Sequence, residues 1–213
     1  MSAATRFTTK MLQARCAALG FWPGPIDGDM GRRTRDAMAA AERSQEARGR
    51  PFIHPSGLTR IHWHWTGGAY QPNAIDCAHY HFIVDGDANV IACHDPVKHL
   101  SHTLNANTGA IGVAVAAMGK AVERPFSRGP YPLLSRQLAA LTALSARLCA
   151  DYDIPVSRWS TMSHSEVQPT LGIRQRMKWD INWLPDLAGP SDPHTVNDRI
   201  RKMVARDLRA IVH

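Results

Sequence analysis

The chain has 213 residues, with 25 basic and 18 acidic side chains and a formal net charge of +7. A hydrophobic fraction of 44% suits a chain that folds around an apolar core, and no apolar run approaches the about 18 residues of a membrane-spanning helix. The positive balance draws polyanions such as nucleic acid, anionic lipid or an acidic cell envelope, and alone does not choose among them.

The N-terminal stretch MSAATRFTTKMLQARC lacks the apolar core of a secretory leader. Synthesis in the cytoplasm is therefore expected, with release by another agent if the protein acts outside, in the periplasm or cell wall. Met11, Leu12, Cys16 and Leu19 recur at helical spacing. GFWPGPIDGDMG is dense in Gly and Pro and reads as a turn-rich loop. Its glycines allow positive φ, and Asp27 can bond the loop's own amides. RDAMAAAERSQEA reads as a second helix, with Thr34 as its cap. The segment resembles the peptidoglycan-binding repeat through Leu12-Gln13, Leu19-Gly20-Phe21, Gly24, Ile26-Asp27-Gly28, Gly31, Thr34 and Ala37. That resemblance implies a small all-helical wall-binding domain over 1–45, with Phe21, Trp22 and Asp27 as its functional residues. Phe21 and Trp22 are candidates for an aromatic surface that packs on sugar rings; alternatively Phe21 is core and only Trp22 is exposed. Residues 46–57, polar and with two prolines, read as a linker.

A second domain is expected over 58–213. LTRIHWHWT reads as a strand in which Ile61, Trp63 and Trp65 alternate with His62 and His64. YHFIVDGDANVIACH reads as a hairpin turning at Asp85-Gly86-Asp87. AIGVAVAA is a short continuous apolar run, as in a buried strand. Residues 135–152 form an amphipathic helix carrying Leu138, Leu141, Leu144 and Leu148. The tail forms a last helix with Val196, Ile200, Met203, Val204 and Ile211 on one side and basic residues on the other. Its basic face points to solvent, or rests on anionic outer-membrane lipid. Strands mixed with helices predict an α/β (α+β) fold with a mixed central β-sheet flanked by helices.

Cys16, Cys77, Cys93 and Cys149 show no CxxC spacing, which argues against a four-cysteine zinc site. Reduced, mostly buried thiols are expected, with a Cys77–Cys93 disulfide as the alternative. The eleven histidines are the stronger signal. Zinc favours imidazole and carboxylate ligands, and a catalytic zinc takes about three of them and leaves one position open. His62 and His64 share a strand face, so spacing nominates both.

Four stretches, in order, resemble the zinc N-acetylmuramoyl-L-alanine amidases that include phage endolysins and peptidoglycan recognition proteins. They are IHWHWT, HYHFIVDGDANV, LSHTLNANTGAIGV, and SHSEV followed by Lys178-Trp179-Asp180. The resemblance implies one Zn²⁺ held by His62, His164 and Asp180, with a zinc-activated water attacking the amide between N-acetylmuramic acid and L-alanine. It implies catalytic roles for Tyr80 and Lys178, and places His64 and His102 beside the cleft, supporting the ligands or facing substrate. The chain departs from the family pattern at Ala114, where some members carry a catalytic glutamate, and at Ile181-Asn182, where Pro-Gly is usual. A monomeric cell-wall hydrolase of the modular endolysin kind is the leading expectation, with peptidoglycan as its partner. A non-catalytic peptidoglycan receptor is the alternative. No nucleic-acid motif accompanies the charge, so no specific nucleic-acid partner is expected.

Overall fold

The computed structural model describes residues 7–176 and 178–212. The first six residues of the expected 1–45 domain, and His213 of the expected last helix, lie outside the described residues.

Two helices form the N-terminal unit. Helix α1 (Thr9–Ala18) starts at Thr8, whose side chain accepts from the Met11 amide. Helix α2 (Arg32–Glu46) starts at Gly31, so the sequence expectation of Thr34 as the cap is corrected. Thr34 instead lies inside the first turn, where its hydroxyl donates to the Asp29 carbonyl and accepts from the Gln13 amide. Gln13 is the hub of the loop between the helices. Its Nε2 donates to Asp27 Oδ1 at 2.9 Å and to the Asp29 carbonyl, and its Oε1 accepts from the Gly28 amide. Gly24 and Gly28 both sit near φ +90°, where a side chain would strain the backbone.

This unit is docked on the rest of the chain. Ala14 shares a buried cluster with Ala106, Met162, Val167 and Leu171. The buried Arg15 guanidinium donates to the carbonyls of Phe52 and Asp153, and Arg50 pairs with the Asp153 carboxylate. The stretch 46–57 is thus held to both sides.

The larger unit is a five-stranded mixed sheet flanked by helices, as the sequence predicts. Its strands are β1 (Arg60–Trp65), β2 (Phe82–Val84), β3 (Val90–Ala92), β4 (Ala110–Val115) and β5 (Thr161–Ser163), in the order β3-β2-β4-β1-β5. Only β2 and β3 pair antiparallel. Their turn is tied by Asp85 Oδ1, which accepts from the amides of Asp87 and Asn89. The helices are α3 (Ala74–His79), α4 (Ser135–Asp151), α5 (His164–Leu171) and α6 (Pro193–Val212).

Strand β1 is buried along its whole length, and its alternation decides what each face does. Ile61, Trp63 and Trp65 join Ile111, Val113 and Val115 of β4 in the main core, with Leu138, Leu141 and Leu148 of α4 and Val196, Ile200 and Val204 of α6. The Trp63 indole donates to Ser145 Oγ of α4 at 2.9 Å, so its polar edge is satisfied. The opposite face carries Arg60, His62 and His64.

Three arginines of α6 pair within the chain: Arg199 with Asp186, Arg201 with Glu166 and Asp198, and Arg206 with Asp207. No helix among the described residues is long and apolar enough to cross a membrane. The four cysteines are free thiols; Cys77 and Cys93 pack half-buried against the same cluster of Ile83, Ala114 and Ala116.

Candidate metal centre

The histidine face of β1 leads to the C-terminal ends of the parallel strands, where open α/β sheets place their ligands. His64 lies near the end of β1 and His164 opens α5 directly after β5. Asp180 comes from the loop beyond α5. That loop is held by the Ser165 amide, which donates to the Asp180 carbonyl at 2.7 Å, and by a turn from the Asn182 amide to the Trp179 carbonyl.

These three buried side chains converge. Asp180 Oδ2 is 3.1 Å from His64 Nδ1 and 3.4 Å from His164 Nδ1, and the two Nδ1 atoms are 3.2 Å apart. Each ring has a partner for its other nitrogen. His64 Nε2 faces His102 Nδ1 at 3.2 Å, and His164 Nε2 faces Gln175 Oε1 at 3.0 Å. With both rings donating outward from Nε2, two lone pairs and a carboxylate oxygen point at one another with no proton between them. Such a convergence in a buried place is stable around a cation and costly without one. Two imidazole nitrogens and one carboxylate oxygen suit a borderline cation such as zinc, with room left for a further ligand.

The ionisation states agree. Burial pushes His64 down to about 4 despite the nearby Asp180, so the ring is neutral at neutral pH. Burial raises the Asp180 carboxyl, but His164 and His64 together outweigh it and hold the group well below the usual carboxylate range. His64 and Asp180 therefore meet a cation without first losing protons.

The sequence reading joined His62 to His164 and Asp180; the structure brings His64 there instead. The two histidines do share a face, but they lie two residues apart on a strand, about 6.6 Å along its axis. His62 is held elsewhere. It is fully buried, its Nδ1 lies 3.1 Å from Thr103 Oγ1, and its Nε2 has no partner among the described residues. His64, expected beside the cleft, is in the cluster, and His102 is the residue behind it. The His102 ring covers Gly112 of β4, where a Cβ would stand 2.8 Å from it. His81 is architectural: its Nδ1 accepts from the Gly112 amide and its Nε2 donates to the Lys98 carbonyl.

Tyr80 caps α3 with its ring 5.1 Å from that of His64. Burial first, then Asp180 and Asp76, raises its phenol above the ordinary value. The phenol therefore stays protonated at neutral pH. Lys178 is exposed and lines the cleft with Arg176, His102 and His164, between hollows of about 550 Å³ and 270 Å³. Glu166, two residues after His164, is fully buried and is held by Arg201 and His194. Ala114 occupies the central-strand position of the absent glutamate and is fully buried.

Of the N-terminal candidates, Phe21 packs half-buried on Cys16, Ala37 and Ala41. Trp22 is 57% exposed, with its ring 6.0 Å from Trp159. Asp27 bonds Gln13 and the Asp29 amide, so its carboxylate shapes the loop. Gln175 escaped the sequence reading altogether. It stands in a polar stretch, IRQRMK, whose pattern carries no sign of a buried side chain.

Fold and site together are those of an α/β domain equipped to hold a cation. The sequence model of the N-acetylmuramoyl-L-alanine amidase family matches residues 52–182, a span that takes in His64, Tyr80, His164, Lys178 and Asp180. The chain belongs to that family, and its activity at family level is that of a peptidoglycan amidase. No curated protein matches the chain.

Proposed function

We propose that the protein is a zinc-dependent N-acetylmuramoyl-L-alanine amidase, cutting the amide between N-acetylmuramic acid and the L-alanine of the stem peptide. The observation that carries this reading is the convergence of His64 Nδ1, His164 Nδ1 and Asp180 Oδ2, three acceptors whose donor atoms lie within 4.8 Å of one another. A bound zinc supplies a Lewis acid and lowers the pKa of water toward about 7. His64, His164 and Asp180 would hold it. Tyr80 donates a hydrogen bond from its phenol to the oxygen that gains charge as the amide carbon is attacked. Lys178, at the mouth of the cleft, adds a positive charge for the same oxygen.

The docked helical hairpin serves as the wall-binding module, with Trp22 as its exposed aromatic face toward sugar rings. A binding module ahead of a catalytic domain favours the endolysin form of this reading, synthesised in a host cytoplasm and acting at the wall after release. A lipid contact through α6 falls to Lys202 and Arg209, which are exposed and have no ion-pair partner among the described residues.

Digestion of purified sacculi by wild type and His164→Ala, with mass analysis of the products, tests the reading. Separated glycan strands and intact stem peptides from the wild type alone are expected. New reducing sugar ends or cut cross-links would overturn it. Bound zinc with no turnover favours the receptor reading instead.

A further inference from the structure

Gln175 is buried between the exposed Arg174 and Arg176. Its backbone N–H and both ends of its side-chain amide are used. Its backbone amide donates to Gln168 Oε1 at 2.9 Å. Its Nε2 donates to the Leu104 carbonyl at 2.9 Å and the Ile173 carbonyl at 3.2 Å. Its Oε1 is the atom 3.0 Å from His164 Nε2. Carbonyls only accept, so the two of them determine which end of the amide is nitrogen. The oxygen must then face His164. An oxygen facing a ring nitrogen at that distance requires a proton on the nitrogen, or two lone pairs would meet in a buried place.

We infer that Gln175 is a positioning residue: it holds His164 in the Nε2–H tautomer and thereby aims the Nδ1 lone pair at the space shared with His64 and Asp180. As far as a metal is concerned, this rests on the proposed function. Metal-binding histidines commonly donate their second N–H to a partner that fixes the ring. Here the acceptor is a neutral amide, which orients the ring. The same amide ties the two walls of the cleft together. Leu104 follows His102 and Thr103, the residues that face His64 Nε2, so one short run of chain steadies both imidazoles.

The test uses the full-length protein freed of metal, the variants Gln175→Leu and Gln175→Glu, and two readouts. Long-range ¹H–¹⁵N correlation reports the His164 tautomer, and competition with a chromophoric chelator reports the dissociation constant for zinc alone. In wild type His164 is expected as Nε2–H. Gln175→Leu removes the acceptor, so the tautomer becomes mixed and zinc binds about 10–100-fold more weakly. Gln175→Glu loses the donation to Leu104 and Ile173 but keeps an acceptor for His164, so Nε2 keeps its proton. If Gln175→Leu does not fold, Gln175→Met takes its place.

An unchanged tautomer and unchanged zinc affinity in the folded Leu or Met variant overturns the inference. So does equal weakening in both variants with the tautomer unaltered, which would reduce Gln175 to a loop tether. Should wild type bind no zinc, the proposed function falls, and the tautomer measurement alone still decides the role of Gln175.

Discussion

His64 Nδ1 lies 3.1 Å from Asp180 Oδ2, across 116 positions of sequence, while His62 on the same strand face bonds Thr103 instead. That pairing organises the site, because it decides which of two chemically identical side chains meets the carboxylate. It also predicts opposite behaviour for two neighbouring alanine variants.

His64→Ala should empty the centre of zinc and abolish amide cleavage. His62→Ala should keep close to one zinc per chain and lose about 1–3 kcal/mol of stability, because Thr103 loses a buried partner. Metal analysis of the two purified proteins, with urea unfolding, separates these outcomes. Zinc lost from His62→Ala and retained by His64→Ala would reverse the assignment.

Tyr80→Phe removes a protonated donor without touching the three converging side chains. Turnover should fall by about 10²–10³, the usual cost of one donor to a developing oxyanion, with zinc content unchanged. Full activity in the variant would remove Tyr80 from the chemistry.

The Asp198 carboxyl should show in acid unfolding. The Arg158 guanidinium first, then Arg201, holds it at about 2, below its ordinary 3.8. A carboxyl depressed in the folded state stabilises fully above about pH 4 and loses that contribution as pH falls toward about 2. Asp198→Asn should therefore lower the urea midpoint at pH 7 and match wild type at pH 2. A difference of the same size at both values of pH would rule out this ion pair as the cause.

Arg15→Ala tests whether the N-terminal hairpin is docked in solution. The guanidinium is buried and spans the Phe52 and Asp153 carbonyls, so its loss should cost about 1–3 kcal/mol. Stability indistinguishable from wild type in urea titrations would mean that the hairpin moves independently.

Elements with room for a periodic pattern were legible. The alternation of Ile61, Trp63 and Trp65 announced β1, and the leucines of residues 135–152 announced α4. Helix α3 and strand β5 were not read, since six and three residues hold too little of a repeat to distinguish it from loop. The start of α2 was misplaced because Thr34 has the chemistry of a cap; its hydroxyl is instead taken by Gln13 and Asp29.

The sequence by itself determined the donor chemistry of the site and most of its members: imidazoles on an inward strand face, a histidine and an aspartate far downstream, and a tyrosine and a lysine to flank them. Side-chain type and alternation are local properties, and they survive in the order of letters. Tertiary structure alone decided that His64 rather than His62 stands beside Asp180, and that Gln175 closes the far side of His164. Both depend on where β1 ends relative to the loop beyond α5. That height is set by the parallel pairing of β1 with β4 and β5, and by the backbone bond from Ser165 to Asp180.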